Sequence, residues 1–426
     1  MNLINGRLMS DKESEAQLSH IQEIILPVLL AGPISREKVV QACDTLCRSL
    51  DEKEYLPLLL NLGMTREQAL ERLGMARLLL SKEYLMSRLE RELGPWATDS
   101  FLPYGSDCAV RQEIMPLGVL LHIAAGNVDA LPAFSVIEGL LTGNVNILKL
   151  PGKDDGLSIP LLQRLIQLEP GIAGQIYVFN TASEDIPAMK KLADAADGIV
   201  VWGGDEAILA VRKLAGPETR LIEWGHKISF AYVSGQAADT ALEELARHIC
   251  ETNQLLCNSC QGIYLDTEDY QQAIAFAYRF SLILEGIASA SACPADPYLA
   301  AQKRLEIYTE QLEAITGGKQ VFHMDHCSVI AYADAALIPS YQFRNCWVKP
   351  LPRENLLARL RPYKNHLQTV ALICREDEKS HLQALLSKTG AVRITSPGHM
   401  SAGYCGQPHD GEFSLRRYTK IMSFEA

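Results

Sequence analysis

The sequence predicts an α/β fold with two lobes, each a parallel sheet covered by helices on both faces. From about residue 113 onward, short apolar runs alternate with longer segments of helical periodicity, the pattern of strands joined by crossover helices. The 426 residues, of which 48% are hydrophobic and 21% charged, suffice for more than one core. Ligands of such sheets bind at the carboxyl ends of the strands, so functional residues are expected there.

Residues 1–95 form a lead that is predicted to be mainly helical. Ser35 and Thr65 each stand before a segment with the capping pattern of a helix N-terminus. Gly94 and Pro95 then end the helical region. The sheet of the first lobe is therefore expected to begin after this point.

The two lobes are predicted over about 96–226 and 227–395. In the first lobe the pattern indicates strands near 118–123, 145–150, 175–180, 198–202 and 221–223, and helices near 131–141, 158–169, 186–195 and 205–214. In the second lobe it indicates strands near 228–233, 262–265, 328–332, 346–349 and 369–374, and helices near 239–250 and 270–285. A short tail follows the second lobe.

Charge and cysteine usage exclude several classes of protein. A net charge of −11 disfavours nucleic-acid binding, because an acidic surface repels phosphate backbones. We find no apolar run of the roughly 18 residues that a membrane span needs. Early acidic residues are unlike a signal peptide. Eleven scattered cysteines do not suggest a disulfide framework, so we expect a cytoplasmic protein.

Cys257 is the candidate nucleophile. It lies between a predicted helix and a predicted strand, where a thiol can be exposed and activated by nearby amides. Taken alone, a buried structural cysteine is the commoner alternative. Cys260 completes a C-x-x-C motif, which allows a redox or zinc interpretation. No second cysteine pair at zinc spacing follows, and no strand precedes the motif as in redox proteins, so no metal site is expected.

Two further residues stand where acid–base and oxyanion chemistry could occur. Glu223 ends a predicted strand just before a glycine, where a carboxylate can face a cleft as a general base. Asn127 follows the strand near 118–123, and an amide there can donate a hydrogen bond to a developing oxyanion. A solvated loop charge and a turn-forming asparagine are the plain alternatives for the two positions.

A cofactor site is predicted from Lys149 and from a pair of glycines. Lys149 is a charge at the end of an otherwise apolar strand, so it is either a surface lysine or a cofactor ligand. Gly203 and Gly204 connect a strand to a helix, where backbone can approach a phosphate. The sequence has no G-x-G-x-x-G motif, which disfavours a standard Rossmann dehydrogenase.

In order along the chain, these motifs resemble the aldehyde dehydrogenase superfamily. The strand, asparagine turn and lysine between 116 and 149 resemble its cofactor half, and the segment 223–227 resembles its E-L-G-G-K motif. The 34 residues from Glu223 to Cys257 match the usual interval between its glutamate and its nucleophile. Within the superfamily, the segments 202–206, 222–230, 253–261, 367–369 and 408–411 resemble the LuxC-type acyl-CoA reductases. Cys260 departs from that family, which commonly has proline there.

The resemblance implies a dinucleotide-binding domain that includes the helical lead (1–226), and a catalytic domain (227–395). It implies reduction of a fatty acyl-CoA to aldehyde through an S-acyl-Cys257 intermediate, with Asn127 stabilising the oxyanion and Glu223 moving protons. Gly152 replaces the superfamily's ribose-binding glutamate and is followed by Lys153, which favours NADP(H) over NAD(H). A hydrolytic aldehyde dehydrogenase, an acyl-phosphate reductase and a non-catalytic assembly subunit are the alternatives.

Assembly is also predicted from the resemblance. The segments 96–115 and 407–426 alternate in polarity and have no obvious place within a lobe. In the superfamily, segments at these positions pair across subunits, so we expect a homodimer or a homotetramer. The alternative is that they fold back on their own chain. An acyltransferase or synthetase partner could supply the acyl group.

Overall fold

The structure is a computed structural model that describes residues 1–61, 64–94, 97–101, 109–124, 130–152, 156–291 and 296–425. In chain order its strands are β1 (Asn2–Ile4), β2 (Arg7–Met9), β3 (Ala97–Phe101), β4 (Ala109–Pro116), β5 (Val119–Ile123), β6 (Val145–Lys149), β7 (Ile176–Phe179), β8 (Gly198–Trp202), β9 (Arg220–Trp224), β10 (Ile228–Val233), β11 (Cys260–Leu265), β12 (Lys319–His323), β13 (Ser328–Tyr332), β14 (Asn345–Pro350), β15 (Leu367–Ile373), β16 (Arg393–Thr395) and β17 (Thr419–Glu425).

The α-helices cover the sheets and fill the N-terminal lead. In chain order they are α1 (Asp11–Ser19), α2 (Ile21–Ala31), α3 (Arg36–Ser49), α4 (Glu52–Asn61), α5 (Arg66–Leu80), α6 (Lys82–Leu93), α7 (Leu131–Leu141), α8 (Ser158–Leu168), α9 (Ile186–Asp194), α10 (Asp205–Leu214), α11 (Asp239–Thr252), α12 (Tyr270–Ala290), α13 (Pro297–Glu313), α14 (Leu356–Leu360), α15 (Glu376–Thr389) and α16 (Ser414–Arg417).

The chain divides into two compact units. The first unit comprises Met1–Gly225 and Cys405–Ala426, and the second comprises His226–Tyr404. Each unit is an α/β layer structure, as the sequence predicts. The tail returns to the first unit, and residues 396–404, beyond the predicted end of the second lobe, belong to the second unit.

The sheet of the first unit has the order β2-β1-β7-β6-β5-β8-β9 within the described ranges. The strands β5 to β9 run parallel, which places their carboxyl ends at one edge. One face packs against α3, α7 and α8 and the other against α1, α2, α9 and α10. These two cores hold the sheet rigidly under the candidate cofactor residues.

The first nine residues differ from the predicted helical lead. β1 and β2 form a hairpin, and β1 adds to the sheet antiparallel to β7. Asn5 and Gly6 connect the two strands, both with positive φ, at 48° and 77°. Asn-Gly is the preferred sequence of a two-residue hairpin turn, so the signal was present in the sequence. The helices that begin after Ser35 and Thr65 are found as predicted.

The sheet of the second unit has the order β12-β13-β14-β11-β10-β15-β16 in the part of the chain that is described. β10, β11, β13, β14, β15 and β16 are parallel, and β12 is antiparallel at the edge. The edge strands β12 and β16 and the helices α13 and α15 are absent from the sequence-based prediction. Their apolar runs are short or interrupted by charges, which weakens the periodic signal.

Helix α12 extends five residues past its predicted end. Its length and composition would suffice for a membrane span, contrary to the expectation from the sequence. One face of the helix, including Ala277, Phe280 and Leu284, is fully buried in a core that α12 shares with α11 and the sheet. We therefore assign α12 as a core helix of the second unit.

A separate antiparallel sheet joins the two segments that were predicted to mediate assembly. Its order is β17-β4-β3 among the described residues, with Ile421 opposite Ile114 and Ala97 opposite Glu113. The two segments thus pair with each other within one chain. From Lys420 onward β17 is exposed, and Ile421 is 70% accessible.

Candidate active site

Cys257 lies in a tight connection between α11 and β11. The helix ends at Thr252, and Asn253 and Gln254 both adopt left-handed backbone conformations, with φ of 46° and 61°. Both side chains are buried. Left-handed conformations cost residues other than glycine free energy, so the surrounding contacts must hold this turn in place.

Two glutamines anchor the connection. The Gln254 Nε2 donates to the carbonyl oxygen of Cys260 at 3.0 Å, and the Gln261 Nε2 donates to the carbonyl oxygen of Gln254 at 3.0 Å. The Gln261 Oε1 accepts from the Ser340 hydroxyl at 2.8 Å. These bonds give a structural reason for both glutamines of the 253–261 motif, because together they close the loop around Cys257.

His248 fixes the same loop from the side of α11. Its Nε2 accepts a hydrogen bond from the Cys260 N–H at 3.2 Å, and its Nδ1 lies 3.1 Å from the Ser401 hydroxyl. Burial lowers the pKa of His248 to about 4, so the ring is neutral near pH 7. An accepting Nε2 leaves the proton on Nδ1, which donates to Ser401.

Ser229 ties the backbone of Cys257 to the sheet. Its hydroxyl donates to the carbonyl oxygen of Cys257 at 2.7 Å and accepts from the Thr369 N–H at 3.0 Å. Ser229 belongs to β10 and Thr369 to β15, so two neighbouring strands determine where the backbone of Cys257 lies. Positioning by strands is more rigid than positioning by a loop alone.

The two cysteines of the C-x-x-C motif have opposite environments. Cys257 is exposed, whereas Cys260 is fully buried at the start of β11. Burial raises the pKa of Cys260 to about 12, and its Sγ donates to the carbonyl oxygen of Gly262 at 3.3 Å. A buried thiol of high pKa is a poor nucleophile and metal ligand. The geometry therefore favours Cys257 and gives Cys260 a packing role.

Glu223 lies at the end of β9 in the first unit. Arg212 on α10 donates to both carboxylate oxygens, from Nε at 2.6 Å and from an Nη at 2.7 Å. The side chain of Glu223 is 23% accessible. A carboxylate in a bidentate pair with arginine is held in one orientation, so Glu223 is directed toward Arg212 in this structure.

Asn127 lies outside the described residues, as does Lys153. The elements on either side of Asn127 are described: β5 ends at Ile123 and α7 begins at Leu131. Ala130 precedes α7 in a left-handed conformation with φ of 54°. The role predicted for Asn127 therefore stays a prediction.

Lys149 is 3% accessible at the carboxyl end of β6, and its Nζ donates to the Ser183 hydroxyl at 2.7 Å. Burial lowers its pKa, and the nearby Glu184 carboxylate opposes that change. Gly152 follows three residues later on the surface, with open space where a Cβ would stand. Lys149 is thus a buried charge at the edge of the sheet where a ligand is expected, and not an ordinary surface lysine.

The predicted glycine pair connects β8 to α10. A Cβ on Gly203 would lie 3.0 Å from the Cβ of Ala207, whereas a Cβ on Gly204 would meet nothing within 4 Å. Gly204 is the N-cap residue of α10, so its backbone faces open space at the positive end of a helix. Asp205 and Glu206 occupy the first turn and reduce this attraction for an anion.

An aromatic cluster stands beside these strand ends. The rings of Trp202 and Trp224 have centroids 5.5 Å apart, and His409 of the tail lies 5.1 Å and 4.9 Å from them. The Trp202 Nε1 also donates to the Ser135 hydroxyl at 3.3 Å. The tail motif 408–411 is therefore part of the first unit's strand-end surface.

Comparison with known proteins decides the family. A sequence profile described as acyl-CoA reductase (LuxC) matches residues 31–421. The chain belongs to the acyl-CoA reductase (LuxC) family. A relative from Vibrio harveyi, named long-chain acyl-protein thioester reductase, is 26% identical over 99% of this chain and 92% of its own length.

Solved structures similar to this acyl-CoA reductase family member include aldehyde dehydrogenase 21 from Physcomitrella patens, with a TM-score of 0.72 at 11% identity over 100% of this chain and 94% of that one. A proline utilization A variant from Bradyrhizobium japonicum has a TM-score of 0.75 at 15% identity, over 99% of this chain and 46% of that protein. A glyceraldehyde-3-phosphate dehydrogenase from Methanocaldococcus jannaschii, complexed with NADP, has a TM-score of 0.70 at 12% identity. The superposition with this glyceraldehyde-3-phosphate dehydrogenase covers 99% of this chain and 95% of the dehydrogenase chain. The predicted aldehyde-dehydrogenase-like fold is confirmed.

The types of residue at the strand ends of the first unit suit the binding of a nicotinamide dinucleotide. Lys149 supplies a buried cation at the carboxyl end of β6, and Gly204 leaves room for backbone contact at the start of α10. A cation and an open helix N-terminus both suit the negatively charged diphosphate of a dinucleotide. The aromatic cluster of Trp202, Trp224 and His409 borders the same strand ends.

The sequence alone does not indicate His248, Arg212 or His409 as site residues. His248 lies mid-helix among apolar residues, and a single buried histidine has no pattern of its own. Arg212 stands 11 residues before Glu223, and only the packing of α10 on β9 brings the two together. His409 lies in the tail motif 408–411, but no local pattern indicates that its ring contacts two tryptophans.

Proposed function

We propose that this protein reduces a fatty acyl thioester to the aldehyde with NADPH, through an S-acyl intermediate on Cys257. The observation that carries the proposal is the contrast within the C-x-x-C motif: an exposed Cys257 on a strand-anchored loop and a buried Cys260. The proposal also rests on family membership and on the name of the Vibrio harveyi relative.

The first chemical step is acyl transfer to the protein. The Cys257 thiolate attacks the thioester carbonyl carbon, the carbon–sulfur bond to the donor breaks, and the donor leaves as a thiolate that takes up a proton. Asn127 and the N–H of Cys257 are proposed to stabilise the oxyanion of the tetrahedral intermediate. The contacts of Ser229, Gln254 and His248 hold the loop, so little reorganisation is needed when charge develops.

The second step releases the aldehyde. When bound, NADPH would supply the hydride that the protein itself cannot provide. Addition of a hydride to the S-acyl carbon would leave a thiohemiacetal oxyanion on Cys257, and its collapse expels the Cys257 thiolate and frees the aldehyde. After it leaves Arg212, Glu223 is proposed to exchange a proton with the Cys257 thiol, or to give one to this oxyanion and take it back before the collapse. Covalent capture thus divides a difficult reduction into two accessible steps.

The identity of the acyl donor and the identity of the nicotinamide cofactor are two separate proposals. We infer an acyl-CoA donor, while an acylated protein, as the relative's name states for that enzyme, is the alternative. For the cofactor, Gly152 removes a carboxylate that would repel a 2′-phosphate, which favours NADP(H). Glu184 beside Lys149 acts in the opposite direction, so NAD(H) remains the competitor.

Two assays test the proposal. Intact-mass measurement after incubation with an acyl-CoA, without nicotinamide, should show an acyl adduct that is absent in Cys257→Ala. Absorbance of the reduced nicotinamide, with acyl-CoA, acylated carrier protein, acyl phosphate and aldehyde supplied in turn, then separates thioester reduction from acyl-phosphate reduction and aldehyde oxidation. No adduct with any thioester and no oxidation of NADPH or NADH would reject the proposal.

The proposed function also includes a proposed oligomeric state and a proposed cellular location. We infer a homodimer or a dimer of dimers, in which the exposed strand β17 meets another subunit. We also infer a cytoplasmic enzyme that receives its acyl group from an acyltransferase or synthetase. The sheet β17-β4-β3 supports assembly, since it leaves β17 as an exposed edge strand.

A further inference from the structure

The outward face of α13 in the second unit carries a regular row of exposed apolar side chains. Leu305 is 65% exposed and Leu312 is 70% exposed, and Tyr308 between them is 46% exposed. This α13 stripe consists of Tyr298, Ala301, Leu305, Tyr308, Leu312 and Ile315. Its last member lies in the single 3₁₀ turn that continues the helix. Clustered apolar exposure of this kind marks a surface that binds another molecule.

The inner face of the same helix is fixed to the sheet of the second unit. Ile307 is fully buried there, and the Glu310 carboxylate accepts a hydrogen bond from the Tyr332 hydroxyl at 3.2 Å. Lys319, at the start of β12, forms an ion pair with Glu310 at 2.7 Å. With 3.6 residues per turn, positions 307 and 310 lie on the side of the helix away from the stripe. The stripe is thus presented on a helix that its own unit holds in place.

The spacing of the stripe is that of an interface between two helices. Tyr298, Leu305 and Leu312 are seven residues apart, and each of the other three members follows one of them by three residues. Alternating intervals of three and four residues correspond to the a and d positions of a coiled coil. The partner that fits such a stripe is another helix, along roughly 25 Å of its length.

The stripe is complementary to itself when two copies run antiparallel. A two-fold axis between residues 306 and 307 places Leu305 opposite Tyr308 and Ala301 opposite Leu312 of the second copy, since the members of each pair are equally far from the axis. The two ends of the stripe pair in the same way. Every a position then meets a d position, and the small Ala301 faces a large side chain, which allows the two rows to interdigitate.

The charges beside the stripe do not oppose this pairing. The four flanking positions are Gln302, Arg304, Thr309 and Gln311. Arg304 donates to the carbonyl oxygens of Met324, at 2.9 Å, and of Asp325 in its own chain. In the antiparallel register it comes beside the neutral Gln311 of the second copy. These four positions therefore bring no like charges together across the axis, and like charges there would cost free energy.

We propose that two copies of this protein associate through their α13 stripes, paired antiparallel about a two-fold axis. A contact along one short helix is smaller than a stable interface needs, so the Kd should be weak, on the order of 100 µM. The pairing adds a concentration-dependent contact to the assembly proposed through β17. It depends neither on that assembly nor on the proposed reaction.

Sedimentation velocity over about 5 to 500 µM full-length protein tests the pairing. The mass of the wild type should double over this range, whereas Leu305→Glu with Leu312→Glu should not change in mass. Tyr278→Glu with Leu282→Glu is the matched control, since both residues are exposed on α12 and lie outside the stripe. The control should double like the wild type. No doubling of the wild type, or the same behaviour in both double variants, would overturn the proposal.

Cysteine cross-linking tests the register. In a Cys257→Ala background, Ala301→Cys with Leu312→Cys should form a disulfide-linked dimer with a copper phenanthroline oxidant, seen on a non-reducing gel. Ala301→Cys alone should not exceed the background protein, because two copies of residue 301 lie about 16 Å apart along the axis, beyond the reach of a disulfide. Cross-linking by Ala301→Cys alone, or none by the pair, would reject the antiparallel register.

Truncation after Gly411 separates this contact from the one proposed through β17. The truncated chain keeps α13, so it should be monomeric at micromolar concentration and should still double in mass toward about 500 µM. A full-length chain that is monomeric at micromolar concentration and doubles only at the higher concentrations would leave the α13 pairing standing while the assembly through β17 fails. A truncated chain that stays monomeric throughout would reject the α13 pairing.

Discussion

At the scale of single residues, the environment of a thiol decides its chemistry more than its motif does. Cys257 and Cys260 are separated by two residues, yet one is exposed in a turn and the other is fully buried in a strand. Burial raises the pKa of Cys260 to about 12, which leaves it a thiol at neutral pH. The two positions should therefore respond very differently to substitution.

Cys257→Ala is expected to abolish both acyl-adduct formation and NADPH oxidation, because no other exposed thiol lies in this loop of the described chain. Cys260→Ala should retain substantial activity, with a small loss of stability from the cavity it leaves. Intact-mass spectrometry and the nicotinamide absorbance assay measure the two effects. An adduct in Cys257→Ala together with an inactive Cys260→Ala would reverse the assignment.

Gly152 allows a test of cofactor preference. Gly152→Glu introduces a carboxylate into open space near Lys149, where it would repel a 2′-phosphate. The KM for NADPH is expected to rise more than the KM for NADH, while adduct formation without nicotinamide stays unchanged. Gly152→Gln is the control of similar size without charge. Equal effects on the two cofactors would remove Gly152 from the adenosine site.

At the scale of elements, the active-site loop depends on how α11 packs on β11. His248 on α11 accepts the backbone N–H of Cys260, and Ser229 on β10 donates to the carbonyl oxygen of Cys257. The loop is thereby held between a helix and a sheet, which lets Asn253 and Gln254 keep left-handed conformations. This arrangement also makes the stability of the second unit depend on pH.

Stability should fall in mild acid because His248 is neutral in the folded protein. Burial lowers its pKa from 6.5 to about 4, so the unfolded chain binds a proton more readily between these values. The contribution of neutral His248 to the free energy of unfolding is fully present above pH 6.5 and is lost as pH falls toward 4. Its maximum is about 3 kcal/mol. The urea midpoint should therefore decrease from neutral pH to about pH 5.

His248→Gln keeps a hydrogen-bond acceptor but cannot titrate, so its urea midpoint should depend less on pH than that of the wild type. His122, which burial also brings to a pKa of about 4, remains in both proteins and accounts for a residual dependence. Parallel pH profiles of the wild type and His248→Gln would show that His248 does not carry the effect.

At the scale of the whole molecule, the tail decides how the chain could assemble. Residues 405–426 return to the first unit, where Arg88 contacts the Ser414 hydroxyl and the N–H of Leu415 donates to Glu92. The chain then continues into β17, which pairs only on one side, with β4, among the described residues. An exposed edge strand of this kind favours pairing with another chain.

Truncation after Gly411 tests the proposed assembly. The shortened protein loses β17, so it should become monomeric by light scattering at micromolar concentration, whereas the full chain should be a dimer or tetramer. A gentler variant, Ile421→Lys with Phe424→Lys, keeps the strand and places one charge on each of its two faces, where both side chains are exposed. A monomeric full-length chain, or a truncated one that stays dimeric and active, would contradict the proposal.

Much of the architecture could be predicted from the sequence because it depends on local patterns. The helices 131–141 and 205–214 and the strands 198–202 and 228–233 lie where the periodicity indicated them. The hairpin at 2–9 is not predicted, although Asn5-Gly6 is a typical turn sequence, because strands of three residues are too short to give a periodic pattern. Edge elements such as β12 and β16 were missed because half-exposed strands lack continuous apolar runs.

The sequence by itself determined the fold class, the family and the candidates Cys257, Glu223 and Lys149, because motif order and spacing are properties of the chain. Only the tertiary structure decided that Cys260 is buried, that Glu223 is held by Arg212, and that the tail places His409 against two neighbouring tryptophans. Burial and pairing join residues that are distant along the chain, so they depend on how whole elements pack.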